Sequence, residues 1–280
     1  MTKTETRPDK PTECDPYILK QAVAFDEKTF PAQGGSIRGE SWNAYIDSLW
    51  LAKDLEPMSL EDLRCKGTSI DGHNRFGLCV FPMMVWDSIY AGGELHRLFL
   101  PSASFRWQHH HLAMASGAKK VGSVCFTTDV YFPWLGSAAS TWMSLTPSEL
   151  VSQRQGIRRA KGHVLVGGCG LGWFAARCAD RTQVKSVTVV DSNPHILEFF
   201  GEKLQAQYGG KIKLLDRCAY EEAEKNADSY DSILFDIWPH CNDARYDARW
   251  HSIVYDCQEN GKGVWGWGWS RATAPAGEGW

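Results

Sequence analysis

The chain has 280 residues, 43% of them hydrophobic, which is enough to bury one large core or one core with a smaller appended unit. A formal net charge of -3 and a pI near 6.3 give no electrostatic reason to expect nucleic acid or an anionic membrane as a partner. The nine cysteines (Cys14, Cys65, Cys79, Cys125, Cys169, Cys178, Cys218, Cys241, Cys257) are odd in number and contain no CxxC pair, which argues against a disulfide framework or a zinc knuckle and predicts reduced thiols in a cytoplasmic protein.

Residues 1–40 are rich in Pro, Gly, Thr and charge and are predicted to be a flexible arm; their polar start carries neither a secretory signal nor a membrane-spanning pattern. Residues 41–145 are predicted to form an N-terminal α+β unit. In it, Trp42, Tyr45, Ile46, Leu49 and Trp50 take the three-and-four spacing of an amphipathic helix reaching Leu55. Short apolar or alternating runs between residues 76 and 142, such as Phe76–Phe81 and Val121–Phe126, read as strands. His109, His110 and His111 follow Trp107, but three consecutive histidines cannot face one way on a helix or strand, so no metal is predicted. The 13 tryptophans are spread from Trp42 to Trp280 and are expected to pack as core rings.

The third region, 146–270, is predicted to be a Rossmann-like α/β domain with a doubly wound, mostly parallel sheet, followed by a loop-like tail at 271–280. Thr146-Pro147-Ser148-Glu149 combines an N-cap, a first-position proline and a capping-box glutamate, and the helix it starts should stop at Gly162. Strands at 163–167, 186–190, 211–215 and 232–236 then alternate with helices at 172–180, 194–208 and 219–227. Gly261–Trp269 fits a fifth strand with aromatic residues on one face and glycines on the other.

Val164-Leu165-Val166-Gly167 leads into Gly168, Gly170 and Gly172, and a second strand ends at Asp191 about twenty residues on. Strand, glycine turn, helix and a strand-end carboxylate together make a nucleotide-type cofactor site, with loop amides open to an anion and Asp191 placed for ribose hydroxyls. Asp191 also fits as an N-cap for the helix opening at Pro194, although Ser192 or Asn193 can serve there instead. Because Gly172 is followed by Trp173, Phe174 and Ala175 with no closing glycine, NAD ranks second.

Over about residues 140–270, the segments VLVGGCGLG (164–172), VTVVDSNPHIL (187–197), IKLLDRCAYE (212–221) and YDSILFDIWP (230–239) follow one another in a family's order. The chain here resembles the class I S-adenosylmethionine-dependent methyltransferases, in their spermidine-synthase-like branch. The resemblance implies that Gly168, Cys169, Gly170 and Gly172 hold the methionine portion of S-adenosylmethionine. It further implies that Asp191, with Ser192 beside it, holds the ribose, that Cys218 and Ala219 flank the adenine, and that Asp236 lies beside the sulfonium as the catalytic residue. It also implies a homodimer. Asp236 has a second reading as a turn aspartate ahead of Pro239, and His240 and Cys241 read as a polar loop.

Three departures bear on function. Val166 stands where many such enzymes carry an acid for the cofactor's amino group, so that contact must come from elsewhere. Cys218 stands in place of an adenine-binding aspartate, which leaves the contact to backbone or Asp216, and it is not read as a nucleophile. Leu171 and Pro239 occupy positions at which aminopropyltransferases bind a cationic polyamine through aspartates. The expectation is therefore a methyltransferase with an unidentified acceptor, ahead of an aminopropyltransferase and of a non-catalytic S-adenosylmethionine-binding protein. No closing hairpin pattern follows residue 270, so the last sheet edge is expected to be trimmed or completed by a partner.

Overall fold

A computed structural model describes residues 35–37, 39–49, 55, 57–58, 75–81, 86–90, 97–99, 120–126, 130–136, 141–145, 147–238, 244 and 247–267. Thr146, His109–His111, Pro239, His240, Cys241 and the 271–280 tail lie outside the described residues.

Among the described residues of the N-terminal part, eight strands form two four-stranded sheets. These are β1 Gly35–Ile37, β2 Pro57–Met58, β3 Arg75–Phe81, β4 Trp86–Tyr90, β5 Arg97–Phe99, β6 Lys120–Phe126, β7 Val130–Gly136 and β8 Thr141–Ser144. One sheet has the order β1-β6-β4-β5 and the other β2-β3-β7-β8. Gly35–Ile37 fall in the stretch expected to be an arm, yet they pair in parallel with β6. The first helix is Gly39–Ser48, shorter and earlier than its apolar periodicity predicts. It docks through Trp42, whose Nε1 donates to the Tyr131 carbonyl at 2.8 Å, and through Asn43, whose Oδ1 accepts from Tyr131 N at 2.9 Å. Its Tyr45 hydroxyl accepts the Trp173 indole N–H at 2.7 Å, tying the N-terminal helix to the helix after the glycine loop.

Five strands follow: β9 Gly162–Gly167, β10 Val184–Asp191, β11 Ile212–Asp216, β12 Ser232–Phe235 and β13 Gly263–Gly266. All are parallel, in the order β11-β10-β9-β12-β13. Strand alternation sorts their side chains into two layers. Val164, Val166, Val187, Val189, Leu234 and Trp265 enter one core with the helices Pro147–Arg159 and Trp173–Ala179. Leu165, Val190, Ile233, Phe235 and Val264 enter the other, with the helices Ala219–Asn226 and Ala248–Glu259. The domain is a Rossmann-like doubly wound sheet.

Two glycines set the helix spacing. A Cβ on Gly156 would lie 2.5 Å from the Trp265 ring, and one on Gly266 would lie 2.8 Å from Trp250, so each permits a helix to rest directly on β13. The fifth strand is thus shorter than its Gly–Trp pattern predicts, but its glycines do allow close approach. The helix opening at Pro194 starts as Pro194–Ile196, widens into a π-turn at Leu197–Gly201, and runs on as Glu202–Tyr208.

Candidate functional site

The register of the three central strands builds the site. Gly167 of β9 lies opposite Val190 of β10 and Phe235 of β12, so the next residues, Gly168, Asp191 and Asp236, leave the sheet side by side. Gly168 N donates to the Val190 carbonyl at 2.7 Å, and Asp236 N donates to the Gly167 carbonyl at 2.9 Å. After β9 the chain crosses to β10 on one side and later to β12 on the other. A crevice at the carboxyl ends of the strands, at such a switch of direction, is where open α/β sheets bind ligands.

A cavity of about 310 Å³ lies there. Its walls include Gly168, Gly170, Asp191, Ser192, Cys218, Ala219 and Asp236, all predicted from sequence, together with Met143, Glu149, Tyr220, Trp238 and Trp142. Of the predicted residues, Cys169 and Gly172 are not among the described lining residues, and Leu171 is fully buried in the core.

The glycine loop is folded on itself. Gly168, Gly170 and Gly172 have φ of 89°, 49° and 78°, a region that favours glycine. A Cβ on Gly168 would stand 2.5 Å from the Asp236 carbonyl oxygen. The expectation of outward-facing loop amides is not met. Cys169 N donates to Asp191 Oδ2 at 2.8 Å, Leu171 N to Met143 Sδ at 3.2 Å, and Gly172 N to the Cys169 carbonyl at 2.8 Å. Asp191 is itself the anion that the loop receives, and its other oxygen accepts Asn193 N at 2.9 Å. Burial pushes its carboxyl above the usual range, against the pull of these backbone donors. Asp191 does not cap the following helix: Asn193 does, accepting His195 N at 3.1 Å.

Asp236 is differently placed. Gln153 Nε2 donates to its Oδ2 at 2.7 Å, and burial raises its pKa to about 7, opposed by that single hydrogen bond. Gln153 is itself 0% exposed, and its Oε1 has no hydrogen-bond partner. One turn earlier on the same helix, Glu149 Oε2 accepts both Ser144 N at 2.9 Å and Ser144 Oγ at 2.7 Å. The glutamate expected to complete a capping box therefore grips the end of β8.

The opposite wall is aromatic. Asp247 caps the helix Ala248–Glu259 by accepting Trp250 N at 3.0 Å, and its other oxygen accepts Trp238 Nε1 at 3.1 Å and the Tyr220 hydroxyl. One carboxylate thus fixes the two rings that line the cavity beside Cys218 and Ala219. Cys169 is buried, which raises its thiol pKa and keeps it protonated, so it offers no nucleophile.

Sequence reasoning missed Met143, Gln153, Tyr220, Trp238 and Asp247, and read Glu149 as a cap alone. A signal existed for two of them: Glu149 and Gln153 are four apart, on the helix face that also carries Gly156 and Ala160 and is buried. Polar residues on a core-facing stripe mark a site or a network.

Among the described residues, no group of His, Cys, Asp and Glu is arranged to hold a metal, and no helix is long and apolar enough to cross a membrane. Cys169, Cys178, Cys218 and Cys257 are free thiols.

No protein-family model matches the chain, and no curated protein does. Solved structures that match include an rRNA methylase from Streptococcus thermophilus, at 13% identity and a TM-score of 0.30 over 38% of this chain and 61% of that one. A spermidine synthase from Thermotoga maritima matches at 13% identity and a TM-score of 0.35, over 44% of this chain and 45% of the other. An N-methyltransferase from Bradyrhizobium japonicum matches at 18% identity and a TM-score of 0.26, over 32% of this chain and 50% of that chain. The match thus spans about half the length of these proteins.

Proposed function

We propose that the chain is an S-adenosylmethionine-binding transferase, and that it moves the sulfonium methyl to an acceptor nucleophile. The observation that carries this is the charge of the cavity. Its described lining contains Glu149, Asp191 and Asp236 and no Lys, Arg or His. Such a cavity favours a cationic ligand and repels the pyrophosphate of a dinucleotide. An adenosyl sulfonium has the required charge, and its flat base matches the wall made by Cys218, Ala219, Tyr220 and Trp238.

When bound, the sulfonium supplies an activated methyl group whose departure leaves a neutral thioether. The residues of the chain orient and desolvate. Asp191 and the glycine loop fix the floor of the cavity, while Trp238 and Tyr220, locked by Asp247, fix its side. Asp236, with a pKa of about 7, is balanced between its two protonation states near neutral pH and is the group to accept the acceptor's proton.

A second reading, aminopropyl transfer from the decarboxylated cofactor, is favoured by one observation. The loop amides that would greet a methionine carboxylate are engaged within the chain, and a ligand lacking that carboxylate does not need them. Against it, Leu171 is apolar and fully buried. Product analysis separates the two. S-adenosylhomocysteine formed from S-adenosylmethionine and a pool of small nucleophiles supports methyl transfer. Methylthioadenosine formed only from the decarboxylated ligand with putrescine replaces it with the second reading.

A further inference from the structure

We propose that Gln153 is the positioning residue of Asp236, its side-chain amide turning between hydrogen-bond donor and acceptor as the carboxyl loses and gains a proton. The pairing rests on the contact between the two side chains, and its use in taking the acceptor's proton rests on the transferase reading above.

The backbones that carry the pair are held, and the amide is the part free to turn. Asp236 N donates to the Gly167 carbonyl at 2.9 Å, and the Phe235 carbonyl just before it accepts Trp267 N at 2.9 Å, so this stretch is tied to β9 on one side and to the end of β13 on the other. Gln153 lies in the middle of the helix Pro147–Arg159, three residues before Gly156, which lets that helix rest on the Trp265 ring. Gln153 Nε2 donates to Asp236 Oδ2 at 2.7 Å, while its buried Oε1 has no partner among the described residues. A buried glutamine is ordinarily oriented by partners on both amide atoms. Here one atom is engaged, and by Asp236 itself. The last torsion of a glutamine is soft and close to two-fold, so a half-turn of the amide forfeits no bond except the one to Asp236.

The carboxyl supplies the reason to turn. An ionised carboxylate only accepts, and it takes the Nε2 hydrogen. A protonated carboxyl has an O–H to place, and the Gln153 oxygen, turned into the position of Nε2, accepts it at the same contact. Each protonation state of Asp236 thus keeps a hydrogen bond, and the carboxyl stays aimed. Asp236 is half-buried and lines the cavity, so it meets ligand space as well as the buried amide. The other titratable groups on the described cavity wall are Glu149 on the helix of Gln153, Asp191 at the end of β10, and Cys218 and Tyr220 at the start of the helix Ala219–Asn226. None of these is a cation that would hold Asp236 ionised, and burial raises its carboxyl against the Gln153 bond. In the transfer, the acceptor's N–H or O–H bond breaks and its proton forms an O–H bond on Asp236. The acceptor's electron pair takes the methyl, and the pair of the broken sulfur–methyl bond stays on sulfur. The turned amide holds the proton on Asp236 until it passes to solvent.

Carbon and nitrogen NMR of the ligand-free full chain, with aspartate carboxyls and glutamine side-chain amides labelled, follows both partners through a pH titration. The expected result is a shared midpoint: the Gln153 amide signals move with the Asp236 carboxyl, and the Gln153 carbonyl carbon shifts downfield as Asp236 takes up its proton. In Asp236→Asn the Gln153 signals should lose that pH dependence. Gln153→Met fills the same space without the amide, and in it Asp236 should titrate higher by about one pH unit or more, because the bond to the charged form is the stronger of the two. If Gln153→Met does not fold, Asp236→Asn still identifies the Gln153 signals and decides the matter. A Gln153 carbonyl that stays still while Asp236 titrates overturns the turning amide and leaves Gln153 a fixed donor, and an unchanged Asp236 titration in Gln153→Met overturns the pairing. No ligand is present, so either failure leaves the transferase reading standing; that reading fails separately if S-adenosylmethionine does not bind.

Discussion

The two long walls of the cavity carry their polar groups in opposite states. The glycine loop is closed: the amides of Gly168, Cys169, Leu171 and Gly172 all have partners in the chain, and Asp191 is held from two sides. The wall contributed by the helix Pro147–Arg159 is open in the chemical sense. It places Gln153 against Asp236 with one amide oxygen unmatched. The difference teaches that the motif most visible in the sequence is scaffold, whereas the unmatched polar group sits on a helix that the sequence marks only by its capping pattern.

The sharpest break of this contrast is Gly168→Ala. A side chain there meets a φ of 89° and a carbonyl oxygen at 2.5 Å that belongs to backbone and cannot swing away. The variant should lose about 3 kcal/mol in denaturant unfolding and all measurable ligand binding. A loss below about 1 kcal/mol would show the loop to be softer than described.

Asp191→Ala should come next. It strands the Cys169 and Asn193 amides, and the expected cost is about 2 kcal/mol in stability with at least tenfold weaker binding of an adenosyl ligand. Binding as tight as wild type would remove both the loop-anchoring and the ribose roles.

The open wall answers to pH. A carboxyl whose pKa rises from near 4 to about 7 on folding binds a proton that the unfolded chain lacks between those values, so its contribution is complete below about pH 4 and lost as pH rises through 7. Asp236→Asn is neutral throughout. Its stability relative to wild type should therefore be greater at pH 8 than at pH 5, by about 1–2 kcal/mol after allowance for solvent at the cavity wall. Gln153→Leu should shift the Asp236 titration higher still, since the Gln153 bond is the influence that lowers it; carbon NMR of the labelled carboxyl reads this directly. A titration near 4 in wild type would contradict the buried, proton-exchanging carboxyl.

The smallest effect is expected at Trp142, which lines the cavity yet is 45% exposed. Trp142→Ala should stay within about 0.5 kcal/mol of wild-type stability, so that any change in acceptor use reports recognition and not folding.

Much of the sheet was legible because its strands are buried on both faces and read as apolar runs closed by turn residues: Val164–Val166, Val187–Val190 and Ile233–Phe235 could hardly be anything else. The strand-end positions of Asp191 and Asp236 followed from the same pattern. What the pattern could not convey was partnership. Glycine spacing shows that a tight turn is needed, but it is silent on whether the turn's amides face a ligand or the chain's own aspartate. Met143, Gln153 and Asp247 act through contacts with residues 28, 83 and 9 positions away respectively, and no local periodicity encodes those. The N-terminal sheets were weakly legible for a related reason: their pairings, such as β1 with β6, join segments far apart in sequence.

The cavity is lined by three carboxylates and by no described cation, a charge that favours the proposed adenosyl sulfonium over a dinucleotide. Calorimetric titration of the full chain with S-adenosylmethionine and with NAD under the same conditions tests this most directly. Saturable binding of S-adenosylmethionine, weakened in Asp191→Ala, with no heat from NAD is the predicted result; binding of NAD, or of neither ligand, would contradict it.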